Sequence, residues 1–266
     1  MVAHVSFSQL STYKYCGKQF YLERIAKVPD QVPGWFTVAG SAFHELTAVF
    51  DRGGNVTWAN FFNNQIELEE HTTGTTRDRW RVAGVTKANR EGQTYQWWLA
   101  KGEELFGMYI DWVMEMPPAT MIEDDISGFL DPDIQLKGMV DRVYPDLIVD
   151  IKTGTAQPKT AEAQLGVYRA AMLARDGVAP DKGAYYMAKD GKLTKEYDLS
   201  IWTPEYVSKL FREMKAGIAA GVFLPSPSFS CNACPVRDFC YTAKGAKSQG
   251  YDPLHPNFGG SDDQGG

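Results

Sequence analysis

Four cysteines set the largest-scale constraint on this chain. Cys231, Cys234 and Cys240 form a C-x2-C-x5-C group towards one end, and Cys16 stands alone near the other. The Met1-Val-Ala-His-Val start lacks the basic segment and apolar stretch of a secretory signal. No apolar run approaches the ~18 residues that a membrane span requires, so a soluble, cytoplasmic protein is expected. In a reducing compartment, closely spaced cysteines read as metal ligands before disulfides. A Cys231–Cys234 bridge would be strained and would leave two cysteines unexplained, whereas four thiolates on one centre use all of them. Zinc and a [4Fe–4S] cluster both accept such a set. Zinc ribbons usually pair their ligands as two short knuckles, so a three-plus-one grouping leans towards iron–sulfur. Zinc stays open, as do four unrelated core cysteines. A shared centre would tie the two ends of the chain together, as a structural element or as a redox sensor.

Between the cysteines, the hydrophobic pattern alternates helix and strand signals. A helix is expected over Ser6–Ala26, N-capped by Ser6 or Ser8 with Cys16 in its middle, and others over Ser41–Phe50 and Glu91–Met116. The polar stretch Thr72–Arg90 reads as a loop. Short apolar runs at Thr120–Ile126, Ile134–Tyr144 and Leu147–Lys152, separated by turn residues, read as strands. A helix over Thr160–Arg175 precedes strands at Gly183–Lys189 and Leu193–Leu199, joined through the Asp190-Gly191 turn signal. A last helix starts at Pro204 and runs to about Ala220. This order predicts an α/β fold, a mixed central sheet flanked by helices, with a helical N-terminal part and a cysteine-bound C-terminal cap. Residues 1–247 are expected to form one domain, and the Gly- and Asp-rich 248–266 a disordered tail.

Two carboxylates interrupt the apolar strands. Asp141 ends Gly138-Met139-Val140-Asp141, and Asp150 follows Leu147-Ile148-Val149. A buried carboxylate is costly unless it is paired or bound to a metal. Lys152, two residues beyond Asp150, shares its strand face. Two acids holding a hard cation such as Mg2+ or Mn2+, with an ammonium beside them, suit phosphodiester hydrolysis. An isolated D-x-K is more often a plain ion pair on a solvated face, and a lone His44 more often a core residue. Glu45, beside His44, offers a further carboxylate. Gln164 and Tyr168, four apart on the following helix, share a face.

Taken in order, these residues resemble the RecB-like exonucleases of the PD-(D/E)XK superfamily. The branch concerned is the iron–sulfur one, which includes the CRISPR-adaptation nucleases and the nuclease domain of AddB-type recombination enzymes. Phe7-Ser8-Gln9-Leu10 through Cys16 to Tyr21 is similar to the family's opening helix with its first cluster cysteine. Gly40-Ser41-Ala42-Phe43-His44 is similar to the G-x-x-x-H motif, Gly138–Asp141 to G-x-x-D, Asp150-Ile151-Lys152 to D-x-K, and Gln164 with Tyr168 to Q-x-x-x-Y. Gly17 stands where the family usually has Pro, which is expected to loosen the turn holding Cys16.

The resemblance implies a restriction-endonuclease-like core and a [4Fe–4S] cluster on Cys16, Cys231, Cys234 and Cys240. It also implies Mg2+ or Mn2+ on His44, Asp141, Asp150 and the Ile151 carbonyl, with Lys152 serving the attacking water and Gln164 and Tyr168 positioning DNA. The implied activity is cleavage of single-stranded DNA from an end, commonly 5′ to 3′, in recombination, repair, phage replication or CRISPR adaptation, with partner proteins from those pathways. An endonuclease, an end-processing enzyme and a catalytically weak end-binding protein are the alternatives. The net charge of -6, from 27 basic and 33 acidic residues, excludes affinity resting on global charge and calls for a local patch. Arg142, Lys159 and Arg169 are candidates for phosphate contacts, and Trp35 and Phe36 for stacking on bases.

Overall fold

A computed structural model of the chain describes residues 4–29, 32–154 and 161–251. Helices α1 (Phe7–Tyr15), α2 (Gly17–Phe20), α3 (Trp35–Asp51), α4 (Trp58–Thr73) and α5 (Tyr95–Val113) come first. Strands β1 (Met121–Asp125), β2 (Gly128–Asp131), β3 (Ile134–Leu136), β4 (Met139–Val143) and β5 (Ile148–Lys152) follow. Then come α6 (Ala161–Asp176), β6 (Lys182–Met187), β7 (Lys192–Leu193), β8 (Tyr197–Asp198) and α7 (Pro204–Ala219). The main sheet runs β1-β4-β5-β6-β7, with β8 also paired to β6. Only β5 and β6 are parallel, joined through α6, and the other pairs are antiparallel. The mixed sheet flanked by helices therefore matches expectation.

Helices cover both faces because β5 is apolar on both. Ile148 packs into the cluster that includes Leu165, Val207 and Phe211 of α6 and α7. Val149 and Ile151 pack into the opposite cluster with Phe43, Leu46 and Tyr109 of α3 and α5. Strand alternation then sends Asp150 and Lys152 to the α6 side.

Several expected elements differ. The run Ile134–Tyr144 is not one strand: β3 pairs with β2 in a separate hairpin, while β4 joins the main sheet after Gly138. Leu193–Leu199 likewise splits into two short strands on β6. Helix α4 carried only a thin apolar signal, Trp58, Phe62 and Ile66 at four-residue steps amid polar residues, yet it closes the α3/α5 layer. Its Trp58 and Phe62 rings stack at 4.9 Å.

The first helix is interrupted. Cys16 takes extended backbone (φ -157°, ψ 98°), ending α1 and N-capping α2. Gly17 does not loosen this turn. A Cβ there would sit 2.9 Å from the Leu224 nitrogen, so glycine lets the C-terminal segment press against the cysteine. Tyr13 Oη donates to the Val222 carbonyl (2.8 Å), and Lys18 Nζ to that of Tyr251 (3.0 Å). A short 3-10 turn at Gln249–Tyr251 brings Tyr251 edge-on to Phe239 (5.9 Å), so the expected disordered tail does not begin at Ser248. Residues 252–266 lie outside the described residues. Among the described residues, no helix is long and apolar enough to cross a membrane.

Candidate active site

The pairing of β4 with β5 stops at Arg142–Val149, and the strands diverge beyond it. Asp141 bridges this fork by accepting the Ile151 N–H at Oδ2 (2.6 Å). From α3, His44 places Nδ1 3.3 Å from Asp141 Oδ2 and 3.3 Å from Glu123 Oε1. Glu123 belongs to β1, whose register sets it between the Ile122–Arg142 and Asp124–Val140 pairs, opposite Asp141. Ligand atoms of His44, Glu123 and Asp141 all lie within 4.8 Å of one another, the one such grouping among the described residues. Asp150 is almost wholly buried beside them, its Oδ2 2.7 Å from Lys152 Nζ but without a well-directed hydrogen bond. Lys152 Nζ donates to Gln164 Oε1 (3.0 Å), and Gln164 Nε2 donates to Tyr168 Oη (2.7 Å).

The fork concentrates negative charge in a desolvated place. Burial opposes protonation of His44, but Asp141, Glu123 and Asp150 overrule it and raise its pKa to about 10. Burial pushes Asp150 up to about 6 despite Lys152. Burial would raise Asp141 too, but His44 and the Ile151 N–H hold it below the usual carboxylate range. Burial works against the Lys152 ammonium, which Asp150 and Asp141 nevertheless keep charged. Three carboxylates set around one imidazole, one of them, Asp150, also paired with Lys152, form a donor set suited to a hard divalent cation.

Glu123 was not found in the sequence, where it is hidden as the first of three consecutive acids, Glu123-Asp124-Asp125. Glu45, the carboxylate suggested in its place, points to solvent on α3. The distinguishing mark is conformational: Glu123 has φ +43°, a region L-residues avoid at a cost of about 1–2 kcal/mol. Arg52 latches this kink by donating to the Ile122 and Glu123 carbonyls. Strain retained beside a metal-type donor set marks a functional position. Glu123→Gln is expected to weaken Mn2+ binding by roughly tenfold or more, as isothermal titration calorimetry would measure. An unchanged affinity removes Glu123 from the ligand set.

Most expected DNA contacts are corrected. Arg142 is fully buried, bonded to Asp51 Oδ2 (2.5 Å), the Asp141 carbonyl (2.6 Å) and Tyr109 Oη (3.3 Å), so it faces no phosphate. Arg169 is buried against Asp181 and the Trp202 carbonyl, a latch between α6 and the following segments. Trp35 packs in the core against Trp80, Phe62 and Tyr95. Phe36 is half-buried at a cavity wall, and Lys159 lies outside the described residues. Gln164 and Tyr168, expected to position DNA, form a hydrogen-bonded relay that fixes the Lys152 head group: Nζ donates to Gln164, and Gln164 to Tyr168.

The four cysteines meet at one cavity of about 590 Å³, whose far wall is formed by Lys152 and Gln164. Backbone N–H groups of Gln19 and Ser228 donate to Cys16 Sγ and Cys231 Sγ (3.4 Å each). Cys240 Sγ lies 3.1 Å from Thr242 Oγ1. Burial pushes the Cys234 thiol up to about 11, with Glu23, Cys16 and Cys240 also opposing its ionisation.

Comparison with known proteins agrees with this geometry. The chain is 30% identical to the Gene 69 protein of Mycobacterium phage D29 over 88% of this chain and 95% of that protein. It is 28% identical, with the same coverage, to the Gene 69 protein of Mycobacterium phage L5. The fold is similar to a crystal structure of a candidate exonuclease from Eubacterium rectale (TM-score 0.50, 12% identity, 87% of this chain and 86% of that one). A family model for the PD-(D/E)XK nuclease superfamily matches residues 4–241, a span that holds every residue of the fork and all four cysteines. The chain belongs to the PD-(D/E)XK nuclease superfamily.

Proposed function

We propose that the protein is a divalent-metal-dependent exonuclease acting on the ends of single-stranded DNA, 5′ to 3′. The observation that carries the nuclease reading is the convergence of His44, Glu123, Asp141, Asp150 and Lys152, from four separate elements, on one fork in the sheet. Those three carboxylates, the imidazole and the Ile151 carbonyl would hold Mg2+ or Mn2+. When bound, the cation polarises the scissile phosphate and makes water a better nucleophile. Lys152 Nζ orients the attacking water and offsets charge as it builds on the phosphoryl oxygens. Its raised pKa suits it to donating hydrogen bonds rather than to accepting a proton. Gln164, itself fixed by Tyr168, keeps Nζ in place through the reaction. The mycobacteriophage origin of the two relatives favours phage DNA processing over CRISPR adaptation.

The three-plus-one grouping of the cysteines and their shared cavity support an iron–sulfur cluster there. Four clustered thiolates also need a cationic centre, given how strongly burial opposes ionisation of Cys234. A [4Fe–4S] cluster on Cys16, Cys231, Cys234 and Cys240 would supply that charge and tie the chain ends beside Lys152. Anaerobically purified protein should be brown. Cys231→Ala should be colourless and less soluble, checked by the visible spectrum and iron content. Zinc in place of iron would overturn the cluster assignment.

The activity is tested with 5′- and 3′-labelled single strands, duplexes and covalently closed single-stranded circles, each with Mg2+ or Mn2+. Mononucleotides or short products released first from one labelled end, with circles left intact, are expected. Nicked circles would replace the exonuclease by an endonuclease.

A further inference from the structure

Residues Phe36, Gly40 and His44 lie four apart on α3 and so form one stripe along its surface. The stripe begins at a cavity of about 520 Å³ and ends, roughly 12 Å along the helix axis, at the metal-type donor set. The floor of that cavity is Thr153-Gly154, the two residues that directly follow Lys152, and its walls include Phe36, Trp97, Lys101 and Lys189. Gly40, half-exposed between cavity and fork, marks a close approach of α3 to the chain after Lys152: a Cβ there would lie 3.4 Å from Thr153 Oγ1.

The cavity combines two chemistries seldom placed together by packing alone. Trp97 is a half-buried indole that packs against the core and meets the buried Trp98 edge-on (ring centroids 4.8 Å, interplanar 85°). Phe36 is braced from behind by Gly34, where any Cβ would strike its ring, and by Arg81 (5.5 Å to the centroid). Lys101 and Lys189 also line the cavity. Lys101 is engaged by Glu104 (2.6 Å), and Lys189 lies 3.8 Å from Asp190. The Lys101–Glu104 pair, at the protein surface, is worth at most about 1 kcal/mol, so a phosphate can displace it. In a chain with net charge -6, cations beside a fixed aromatic platform are the local patch that strand binding requires.

We infer that this cavity is a nucleobase subsite. One unpaired base of the strand being cut stacks on Trp97 and Phe36, while Lys101 and Lys189 hold the flanking phosphates and the backbone runs over the half-exposed Gly40 to the fork. The inference rests on the nuclease reading above and adds to it the reason for a single-strand preference. A base engaged on an aromatic face within a cavity cannot also sit in a duplex stack.

The test is binding in EDTA, so that no strand is cut, read by fluorescence anisotropy with an oligothymidylate and with a set bearing a single abasic residue at each position. For the wild-type protein, one abasic position should weaken binding by about tenfold, the scale of one base–aromatic stack. Trp97→Ala should bind the intact oligomer about tenfold more weakly and lose all sensitivity to that abasic position, whereas Trp97→Phe should regain it. Lys101→Ala with Lys189→Ala, which leaves the aromatic platform intact, should reduce the salt dependence of log Kd by about one to two. Equal abasic sensitivity in the wild-type and Trp97→Ala proteins overturns the subsite, as does an unchanged salt slope in the lysine double variant. Neither result bears on cleavage, which is judged separately with Asp150 variants that leave the cavity untouched.

Discussion

Asp150→Ala should yield a well-folded protein that cleaves DNA at least about a thousandfold more slowly than the wild type, in either Mg2+ or Mn2+. The loss follows from geometry. Asp150 supplies one of three carboxylates at the fork and also sets the ammonium of Lys152. Removing it weakens cation binding and frees the lysine together. Folding should not suffer. The carboxylate is almost wholly buried, one oxygen lacks a hydrogen bond, and burial raises its pKa. In the metal-free protein its charge is a burden on the folded state that the pair with Lys152 (2.7 Å) only partly offsets, and the half-exposed Lys152 head group can turn to solvent once that pair is gone. The thermal midpoint of Asp150→Ala in EDTA should therefore be no lower than that of the wild type. Inactivity with an unchanged or raised Tm would locate the residue in chemistry rather than in folding. Full cleavage by the variant would remove Asp150, and with it the fork, from the mechanism.

Asp51→Ala should do the opposite, lowering stability by about 3–5 kcal/mol, which is the cost of leaving a buried charge without its partner. Asp51 ends α3, and its Oδ2 accepts from both Arg142 Nε (2.5 Å) and Tyr109 Oη (2.6 Å). Arg142 has no exposed surface, and one of its terminal nitrogens already lacks a hydrogen-bond partner among the described residues. Without Asp51 the guanidinium keeps only the Asp141 carbonyl, Tyr109 and a distant Glu123 carboxylate (3.8 Å). A midpoint lower by roughly 10 °C in a calorimetric scan is expected for a chain of this size. Combining Asp51→Ala with Arg142→Met should recover most of the loss, because no charge is then stranded. Equal destabilisation in the single and double variants would show that the pair does not anchor α3 to the sheet.

The sequence was most legible where chemistry and periodicity coincide. Asp141, Asp150 and Lys152 could be picked out because acids and an ammonium interrupt otherwise apolar strands, and the fork brings them together with His44. Cys16 and the C-terminal cysteines could be paired by counting, and the fold brings them to one cavity. Glu123 was illegible because its mark is a dihedral angle, which neighbouring acids disguise in the sequence. Arg142 misled for a related reason: its position beside Asp141 suggested a ligand-facing cation. Strand alternation sends it to the opposite face, where Asp51, ninety-one residues earlier, awaits it. Gln164 and Tyr168 were correctly placed on one face, but their partner, Lys152, depends on how α6 crosses β5. Such long-range pairings leave no local trace in composition or spacing.

The left-handed backbone at Glu123 has a consequence for anyone who improves this protein by selection. A screen for heat tolerance alone would reward glycine at residue 123, since glycine relaxes the kink that Arg52 now holds. A screen for turnover would discard the same change, because it deletes a carboxylate from the fork. Hardiness and turnover are thus in direct opposition at a single codon.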